Sequence, residues 1–348
     1  MDIDKLKRDL QGHFTDGLVT IIGSGLSAAE GIPGMIALRD HLLSEMPKRV
    51  DGTLLVQWQA IQDRLQSGED IETALHEVPP SPELETVIVD LTAALTLEAE
   101  LRVVNQVVSG TRVLRFTRLL RHMLKPNTGI PIITTNYDRL LEVGGECAGL
   151  GIDTLFVGHH VGILNEKESS LSFCRGYRKS RRREGVQLTY RARLLILKPH
   201  GSLDWFLQDG EPIRCPYPLN EPRLIITPGL NKYRTGYDRP FDAHRERANR
   251  EIDKGARYLI IGYGFNDNHL ETHLHSQLRS GKPSLVLARR LSPVGAELVS
   301  QCNSVTAITA DSDVAKPGAW VVNNKGRSFL AGPNLWDVET FVEEVFRP

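Results

Sequence analysis

The sequence predicts an α/β fold built on a doubly wound, mostly parallel sheet. Short apolar runs of strand length recur along the chain, and segments with helical periodicity separate them. Such alternation is typical of parallel sheets with helices on both faces. Several of the apolar runs end directly in glycine, asparagine or histidine. Because ligands bind outside the carboxyl ends of parallel strands, these polar strand ends are the candidate functional site.

Composition and charge exclude several classes of protein. The chain has 348 residues, of which 41% are hydrophobic and 24% charged, and its formal net charge is −1. It can therefore bury a sizeable core, and nothing in its overall charge favours nucleic acid or membranes. No apolar run approaches the roughly 20 residues that span a bilayer, and the charged N-terminus lacks the apolar core of a signal peptide. We expect a cytoplasmic protein.

The four cysteines are far apart, which predicts free thiols and no zinc site.

The first candidate site residues follow the first predicted strand, residues 18–22, which comes after a short amphipathic helix over residues 2–14. The strand runs into Gly23-Ser24-Gly25-Leu26-Ser27, and Ala28-Ala29 then suits the first turn of a helix. Glycines permit a tight turn, and a helix N-terminus presents free N–H groups to a phosphate. This context is that of a dinucleotide-binding turn, although the pattern is shorter than GxGxxG and also fits an ordinary β–α turn.

Residues 36–125 are predicted to be almost wholly helical and to form a large insertion between the first two clear strands. Helices are expected around residues 38–46, over 54–65, over 84–108 and over 113–124, with a proline-marked loop at 79–82. A helical block of this size could cap a pocket, carry an oligomer contact or serve packing alone.

Two further strand ends carry polar residues suited to chemistry. Residues 131–135 form the second clear strand, and Asn136-Tyr137-Asp138 follows it. These short polar groups could orient a ribose or a carboxamide, or cap the helix expected over residues 139–148. Residues 194–197 form a buried strand that ends in Lys198-Pro199, and His200 follows. Histidine is well suited to accept a proton near neutral pH, but a lone histidine at a strand end is also often structural.

The remaining elements complete the alternating pattern. The strand at residues 258–261 ends in Gly262-Tyr263-Gly264-Phe265-Asn266-Asp267, which is a second glycine-containing strand end. The other expected strands are residues 224–228, 284–288 and 305–308, the last being the final core strand. The other expected helices are residues 240–255, a helix that carries His269 and His273, and a closing helix at 336–346.

Three other features are not expected to form sites. Residues 149–193 are predicted to be a smaller, irregular insertion, in which the adjacent His159 and His160 point in different directions. Residues 175–183 carry six positive charges and no acid, and we interpret them as a solvated loop rather than a nucleic-acid interface. His269 and His273 lie on one helix face, but the sequence between them lacks the glutamate of a zinc-protease motif.

Together, the strand-end motifs resemble the sirtuin family, and more closely the bacterial sirtuin-like NAD hydrolases of anti-phage defence. They occur in the family's order, and each follows a strand. The resemblance implies one Rossmann-like, sirtuin-like domain over residues 1–348 that binds NAD. The matching segments are Gly23-Ser24-Gly25-Leu26-Ser27 with Gly31-Ile32-Pro33, then Thr134-Thr135-Asn136-Tyr137-Asp138, then Pro199-His200-Gly201, and finally Gly262-Tyr263-Gly264-Phe265-Asn266-Asp267.

The resemblance also implies a role for each matching residue. Asn136 would contact the nicotinamide ribose and position a water, Asp138 would bind near the carboxamide, and His200 would be the general base. The first turn would hold the pyrophosphate and the adjacent ribose through Gly23, Ser24, Gly25 and Ser27. The last motif would contribute further NAD-binding residues, with Gly262, Tyr263 and Gly264 on the adenosine side, followed by Asn266 and Asp267.

Three departures separate this sequence from sirtuin deacylases, and the first two favour NAD hydrolysis. Residues 149–193 contain only Cys174 where deacylases carry a four-cysteine zinc module, so no metal is expected. Gly34-Met35-Ile36 replaces Asp-Phe-Arg, and Thr134-Thr135 replaces Thr-Gln. The resemblance therefore implies an NAD glycohydrolase that depletes NAD during phage infection, as a homo-oligomer and with a HerA-type hexameric ATPase as a candidate partner. The alternatives are an NAD-dependent protein deacylase and a non-catalytic subunit that binds NAD or ADP-ribose.

Overall fold

A computed structural model of the chain describes residues 3–179, 186–227, 229, 239–265, 267–310 and 317–346. These ranges contain thirteen α-helices and sixteen β-strands. The helices are α1 Ile3–Gln11, α2 Ser24–Ala29, α3 Met35–Glu45, α4 Gly52–Gln66, α5 Ile71–Glu77, α6 Pro82–Val108, α7 Arg115–Leu120, α8 Leu140–Cys147, α9 Glu166–Ser172, α10 Phe241–Lys254, α11 Asn268–Arg279, α12 Pro293–Gln301 and α13 Val338–Phe346, with a 3₁₀ turn at Met46–Lys48. The strands are β1 Leu18–Ile22, β2 Ile130–Thr134, β3 Gly151–Asp153, β4 Phe156–Val157, β5 Gly162–Leu164, β6 Cys174–Lys179, β7 Val186–Tyr190, β8 Arg193–Leu197, β9 Gly201–Gln208, β10 Glu211–Arg214, β11 Arg223–Ile225, β12 Arg257–Ile261, β13 Ser284–Ala288, β14 Val305–Thr309, β15 Gly318–Asn323 and β16 Gly326–Ala331.

The predicted doubly wound sheet is confirmed. A nine-stranded sheet has the order β16-β15-β14-β13-β12-β1-β2-β8-β3, and the seven strands from β14 to β3 run parallel. The chain builds one side of the sheet from β1 through β2, and the other side from β12 onward. The strand order therefore reverses between β1 and β12, and in folds of this type the ligand crevice lies at such a point.

Helices cover both faces of this sheet, which explains why its strands are almost uniformly apolar. β8 is buried at every position. One apolar core includes Ile132 and Ile196 on the face covered by α1, α7, α8 and α13. A second core includes Ile133 and Leu197 on the face covered by α10, α11 and α12. Residues that alternate along a strand thus serve opposite cores, as expected for a parallel sheet buried on both sides.

The smaller insertion is more regular than expected. Residues 149–193 contain β3 to β7 and α9. β4 and β5 join β9, β10 and β11 in a five-stranded sheet of order β11-β9-β10-β5-β4. These strands have two to eight residues, and most are too short to show an alternating pattern. Leu155 has a φ of 64°, a left-handed conformation that breaks residues 153–157 into two strands.

The second sheet also changes the surroundings of His200. Gly201 begins β9, a strand that the sequence analysis missed, and the expected strand at 224–228 is β11, which pairs antiparallel with β9. A Cβ on Gly201, whose φ is 87°, would lie 2.2 Å from the Leu224 carbonyl oxygen. Only glycine permits this sharp exit from the parallel sheet into the second sheet.

The expectation that residues 305–308 form the last core strand is wrong. The antiparallel hairpin of β15 and β16 follows β14 and extends the sheet. β16 is mostly exposed along its length. A mostly exposed edge strand carries no apolar pattern, and this is why the sequence gives little sign of it.

The helical insertion forms its own apolar core and also packs on the parallel sheet's carboxyl edge. Its core includes Leu42, Trp58, Ile61 and Leu84. Helix α5 was missed, and α6 begins at Pro82, which the sequence analysis had placed in a loop. Proline is tolerated in the first turn of a helix because its N–H would have no partner there. No helix in the described ranges has the length and apolar character needed to cross a membrane.

Candidate active site

The two glycine turns at the reversal of strand order are in direct contact. Gly23 N donates to Ile261 O at 2.9 Å, and Gly25 N donates to Gly262 O at 3.0 Å. A Cβ on Gly25 would lie 2.7 Å from Gly262 Cα. These glycines are therefore required for the close approach of the two turns. Since Gly25 N is already bonded, the turn offers fewer free amides to a phosphate than the motif alone implies.

Next to the first turn, three predicted site residues form one hydrogen-bonded chain. Asn136 Nδ2 donates to Gly23 O at 3.0 Å and to Ser27 Oγ at 2.7 Å. Ser27 Oγ then donates to Asp138 Oδ2 at 2.6 Å. All three side chains are buried. Because both Nδ2 protons are committed, Oδ1 is the atom of the Asn136 amide that can accept a hydrogen bond from a ligand.

Asp138 is a buried carboxyl group supported by the chain around it. Its Oδ1 accepts from Leu140 N at 3.2 Å, which caps the start of α8. Burial raises the pKa of Asp138 above its ordinary value, although the Lys198 ammonium and the Ser27 hydroxyl act in the opposite direction. Both carboxylate oxygens are thus engaged, so Asp138 orients Ser27 and Asn136 as well as facing the cavity.

Lys198 lies behind the site and connects its strand ends. The side chain is 1% exposed, and Nζ lies 2.8 Å from Glu142 Oε1. Nζ also donates to Asp138 O at 2.5 Å and to Ser202 Oγ at 3.2 Å. A buried ammonium is stable only when its protons are all bonded. The sequence analysis assigned Lys198 no role, since a lysine before Pro199 carries no signal of burial.

His200 stands at the carboxyl end of β8, as predicted. Its side chain is 13% exposed, and Nε2 lies 2.5 Å from Asp267 Oδ2. The two groups therefore meet at ion-pair distance. Asp267 was expected among the NAD-binding residues, and the structure places it beside the candidate base.

A cavity of about 240 Å³ joins five of the predicted site residues. Two of them come from the first turn and α2, and the others follow β2 and β8. The segment from Ile32 to Met35 forms another side. The five are Ser24, Ser27, Asn136, Asp138 and His200.

The other side of the cavity comes from the helical insertion, whose contribution the sequence analysis left open. α3 supplies Leu38, α5 supplies Glu72, and α6 supplies Thr92, Leu95 and Thr96. Thr92 and Thr96 are one turn apart in a largely apolar helix, which is the one sign in the sequence that this face meets a polar site. The insertion therefore lines the candidate site.

Residues of the last motif lie beside the cavity lining. Gly262 contacts the first turn, and the Tyr263 ring packs in the core with Phe265, at 5.3 Å between ring centroids. Gly264 is exposed. Asn266 lies outside the described residues.

The structure describes the features that were not expected to form sites only in part. His159 and His160 are exposed, and His273 Nδ1 lies 3.0 Å from Asp253 Oδ1 on the surface. The described residues contain no group of three or more side chains suited to hold a metal. The His269 side chain, the side chains of residues 178 and 179 and residues 180–183 of the basic run lie outside the described part.

Comparison with protein families identifies the segment that carries the site. Residues 131–298 match the SIR2-like domain family. The matched segment begins in β2 and ends in α12, so it contains Asn136, His200 and Gly262 but neither the first glycine turn nor the helical insertion. The match supports a sirtuin-like family and an NAD-related function. No curated protein sequence matches the chain.

Solved sirtuin structures are similar to the chain at low identity. One, from work on sirtuin substrate affinity, is 14% identical, with a TM-score of 0.43, and the alignment covers 90% of this chain and 95% of that one. Sir2 with a deacetylated p53 peptide and 3′-O-acetyl ADP-ribose is 13% identical, with a TM-score of 0.44 and coverage of 99% and 98%. Sir2 with a p53 peptide and NAD⁺ is 12% identical, with a TM-score of 0.39 and the same coverage. At these values the similarities do not indicate an activity for this chain.

Proposed function

We propose that this protein is an NAD glycohydrolase, which cleaves the bond between nicotinamide and ribose to give nicotinamide and ADP-ribose. The observation that supports it best is the meeting of Asn136 and His200. They follow neighbouring parallel strands, β2 and β8, and line one cavity beside the first glycine turn. An amide that can hold a water and an imidazole that can accept its proton are the groups that such a hydrolysis requires.

The reaction breaks a C–N bond and forms a C–O bond. The electron pair of the broken bond goes to the nicotinamide ring nitrogen, so a cationic ring departs neutral and positive charge develops on the ribose. Water adds to the ribose carbon and loses a proton. In this proposal Asn136 Oδ1 accepts a hydrogen bond from the water, because the amide's other end is fixed by Gly23 and Ser27. His200 takes the proton from the water or from a ribose hydroxyl. Positioning and electrostatics of this kind can contribute many orders of magnitude in rate.

The cavity suits the nicotinamide half of the substrate. Its volume, about 240 Å³, is somewhat below that of pockets for whole drug-sized ligands, which run from roughly 300 to 1,000 Å³. Leu38 and Leu95 offer apolar surface to an aromatic ring, while Asp138 and Glu72 bring carboxyl groups to the side where a cationic ring would lie. The pyrophosphate would lie toward Ser24 and the first glycine turn, and the adenosine toward Gly262, Tyr263 and Gly264.

The test is NAD consumption by the purified protein, with products separated by chromatography. We expect nicotinamide and ADP-ribose from the wild type and no product from Asn136→Ala or His200→Ala. His273→Ala is the matched control, since it removes a surface histidine outside the cavity and should keep the wild-type rate. Wild-type turnover in either cavity variant would exclude the assignment. O-acyl-ADP-ribose formed from an acylated peptide would indicate a deacylase, and tight NAD binding without product would indicate a non-catalytic subunit.

We further propose that this activity depletes cytoplasmic NAD in anti-phage defence. The support is the resemblance of the strand-end motifs to bacterial defence proteins, which also suggests a homo-oligomer and a HerA-type ATPase partner. The test compares cells that express the wild type or His200→Ala, with and without a co-expressed HerA-type ATPase. Loss of NAD and reduced phage yield only with an intact His200 would support the role, whereas equal phage yield with both proteins would contradict it.

A further inference from the structure

His200 has an acidic neighbour on a different strand end. Asp267 Oδ2 approaches His200 Nε2 to 2.5 Å, and the two side chains are 7% and 13% exposed. The contact joins the carboxyl end of β8 to the start of α11, which follows β12. It therefore connects the ends of the two strands that flank β1 and β2 in the sheet. Nothing in the sequence spacing, with 66 residues between the two positions, indicates this contact.

Asp267 is held in place by its own helix. Its backbone N–H donates to Glu271 Oε1 at 2.6 Å, and its Oδ1 accepts from Leu270 N at 3.4 Å. These contacts make Asp267 the N-cap of α11, a position at which aspartate is favoured. One carboxylate oxygen is therefore committed to the cap, and the other, Oδ2, is the oxygen that faces His200.

We propose that Asp267 is a positioning residue that fixes the tautomer and orientation of His200. A carboxylate beside Nε2 favours the neutral imidazole that carries its proton on Nε2, which leaves Nδ1 as the proton acceptor. When Nδ1 takes a proton, the same carboxylate stabilises the imidazolium. The expected effect on kcat rests on the proposed NAD hydrolysis, whereas the expected tautomer of His200 does not.

The chain offers a matched control pair. His273, on the same helix α11, lies 3.0 Å from Asp253 of α10, and the two side chains are 38% and 47% exposed. Like Asp267→Asn, Asp253→Asn replaces a carboxylate that faces a histidine. Asp253 and His273 are not part of the cavity lining. Asp253→Asn should therefore leave NAD cleavage unchanged.

The first experiment is steady-state kinetics of NAD cleavage. For Asp267→Asn we expect kcat to fall by about 100-fold or more with KM within about threefold, because the lost contact acts on the base in the transition state. Asp267→Glu should restore part of kcat, since it returns the carboxylate. If Asp267 instead binds NAD directly, KM will rise while kcat is retained, and that result would overturn the proposal.

The second experiment reads the tautomer without turnover. Spectra of protein with ¹⁵N-labelled histidine rings at pH 8, with His200→Gln used to assign the His200 signals, should show Nε2 protonated and Nδ1 unprotonated. Asp267→Asn should shift this population, whereas Asp253→Asn should not. A wild-type His200 with its proton on Nδ1 refutes the proposal even if NAD is cleaved. The expected tautomer in a protein that cleaves no NAD would uphold the pairing and reject the proposed function.

Discussion

Glu100 of the helical insertion binds Arg139, the residue that follows Asp138, through three hydrogen bonds. Glu100 Oε2 accepts from the Arg139 backbone N–H at 2.5 Å, and Oε1 accepts from Nε at 2.8 Å and from Nη2 at 2.5 Å. The side chains are 2% and 16% exposed. Two turns earlier on the same helix, Thr92 lines the cavity. One ion pair thus fixes both a wall of the cavity and the loop that carries Asn136 and Asp138.

Glu100→Gln should therefore destabilise the protein and reduce NAD cleavage. The variant leaves the Arg139 guanidinium buried without its counter-charge, and breaking a buried pair in this way costs about 3–5 kcal/mol. Urea unfolding measures the loss in the free energy of unfolding, and NAD cleavage at a temperature where the variant stays folded measures the effect on the loop.

A matched control lies half a turn away on α6. Glu98 pairs with Arg102 at 2.5 Å, but these side chains are 72% and 62% exposed. Exposed pairs contribute little to stability, so Glu98→Gln should leave the unfolding midpoint and the activity nearly unchanged. Equal losses of stability and activity in Glu100→Gln and Glu98→Gln would show that α6 is sensitive to any substitution. The pair of Glu100 with Arg139 would then have no specific role.

Gly25→Ala should damage the site through packing of the turns. The new Cβ would lie 2.7 Å from Gly262 Cα and 3.0 Å from Gly262 O, and backbone atoms cannot move aside cheaply. We expect a loss of about 1–3 kcal/mol in the free energy of unfolding and weaker NAD binding, measured by urea unfolding and calorimetry. Gly176→Ala is the control, because its Cβ meets nothing closer than 3.8 Å. A fully stable Gly25→Ala protein would mean that the turns can separate.

The parallel sheet was predictable because its strands are apolar on both faces and end in recognisable residues. β1, β2, β8, β12, β13 and β14 each appear in the sequence as an apolar run, and Asn136, Asp138 and His200 follow such runs directly. The smaller sheet was not predictable in the same way. β4 has two residues, and β9, which begins with Gly201 and Ser202, was not predicted.

The site's other components depend on long-range contacts that local patterns do not show. Glu100 and Arg139 are 39 positions apart, and the burial of Lys198 follows from three elements meeting around it. Thr92 and Thr96 are a weak sign of a polar site, because they belong to a largely apolar helix whose pattern fits packing equally well. The residues proposed to act on the substrate could thus be predicted, whereas Glu100, Arg139 and Lys198, which help to hold them in place, could not.

Acid should destabilise the protein through two buried histidines. Burial, together with Lys198, lowers the pKa of His244 to about 3, and burial lowers the pKa of His13 to about 4. Between these values and 6.5, the unfolded chain binds more protons than the folded one. The stabilising contribution is therefore complete above about pH 6.5 and is lost as the pH falls toward 4, by up to about 1.4 kcal/mol per pH unit for each histidine.

Urea unfolding at several values between pH 8 and pH 5 checks this expectation. His244→Asn keeps an acceptor for the Lys198 backbone N–H, which donates to His244 Nδ1 at 3.1 Å, but removes the titrating ring. Its free energy of unfolding should depend less steeply on pH than that of the wild type, whatever its value at pH 8. An unchanged slope would show that His244 does not titrate on unfolding.

Lys198 and Glu142 should show strong energetic coupling. Lys198→Met leaves the Glu142 carboxylate, 8% exposed, without its cation, and Glu142→Leu leaves the buried ammonium without its carboxylate. Each single variant should lose about 3–5 kcal/mol in the free energy of unfolding. The double variant removes both charges together and should lose less than the sum, with a coupling energy above about 1 kcal/mol. Urea unfolding of the four proteins measures this cycle. Additive losses would mean that Lys198 is stabilised by Asp138 O and Ser202 Oγ rather than by Glu142, and that the buried charge pair does not hold the strand ends together.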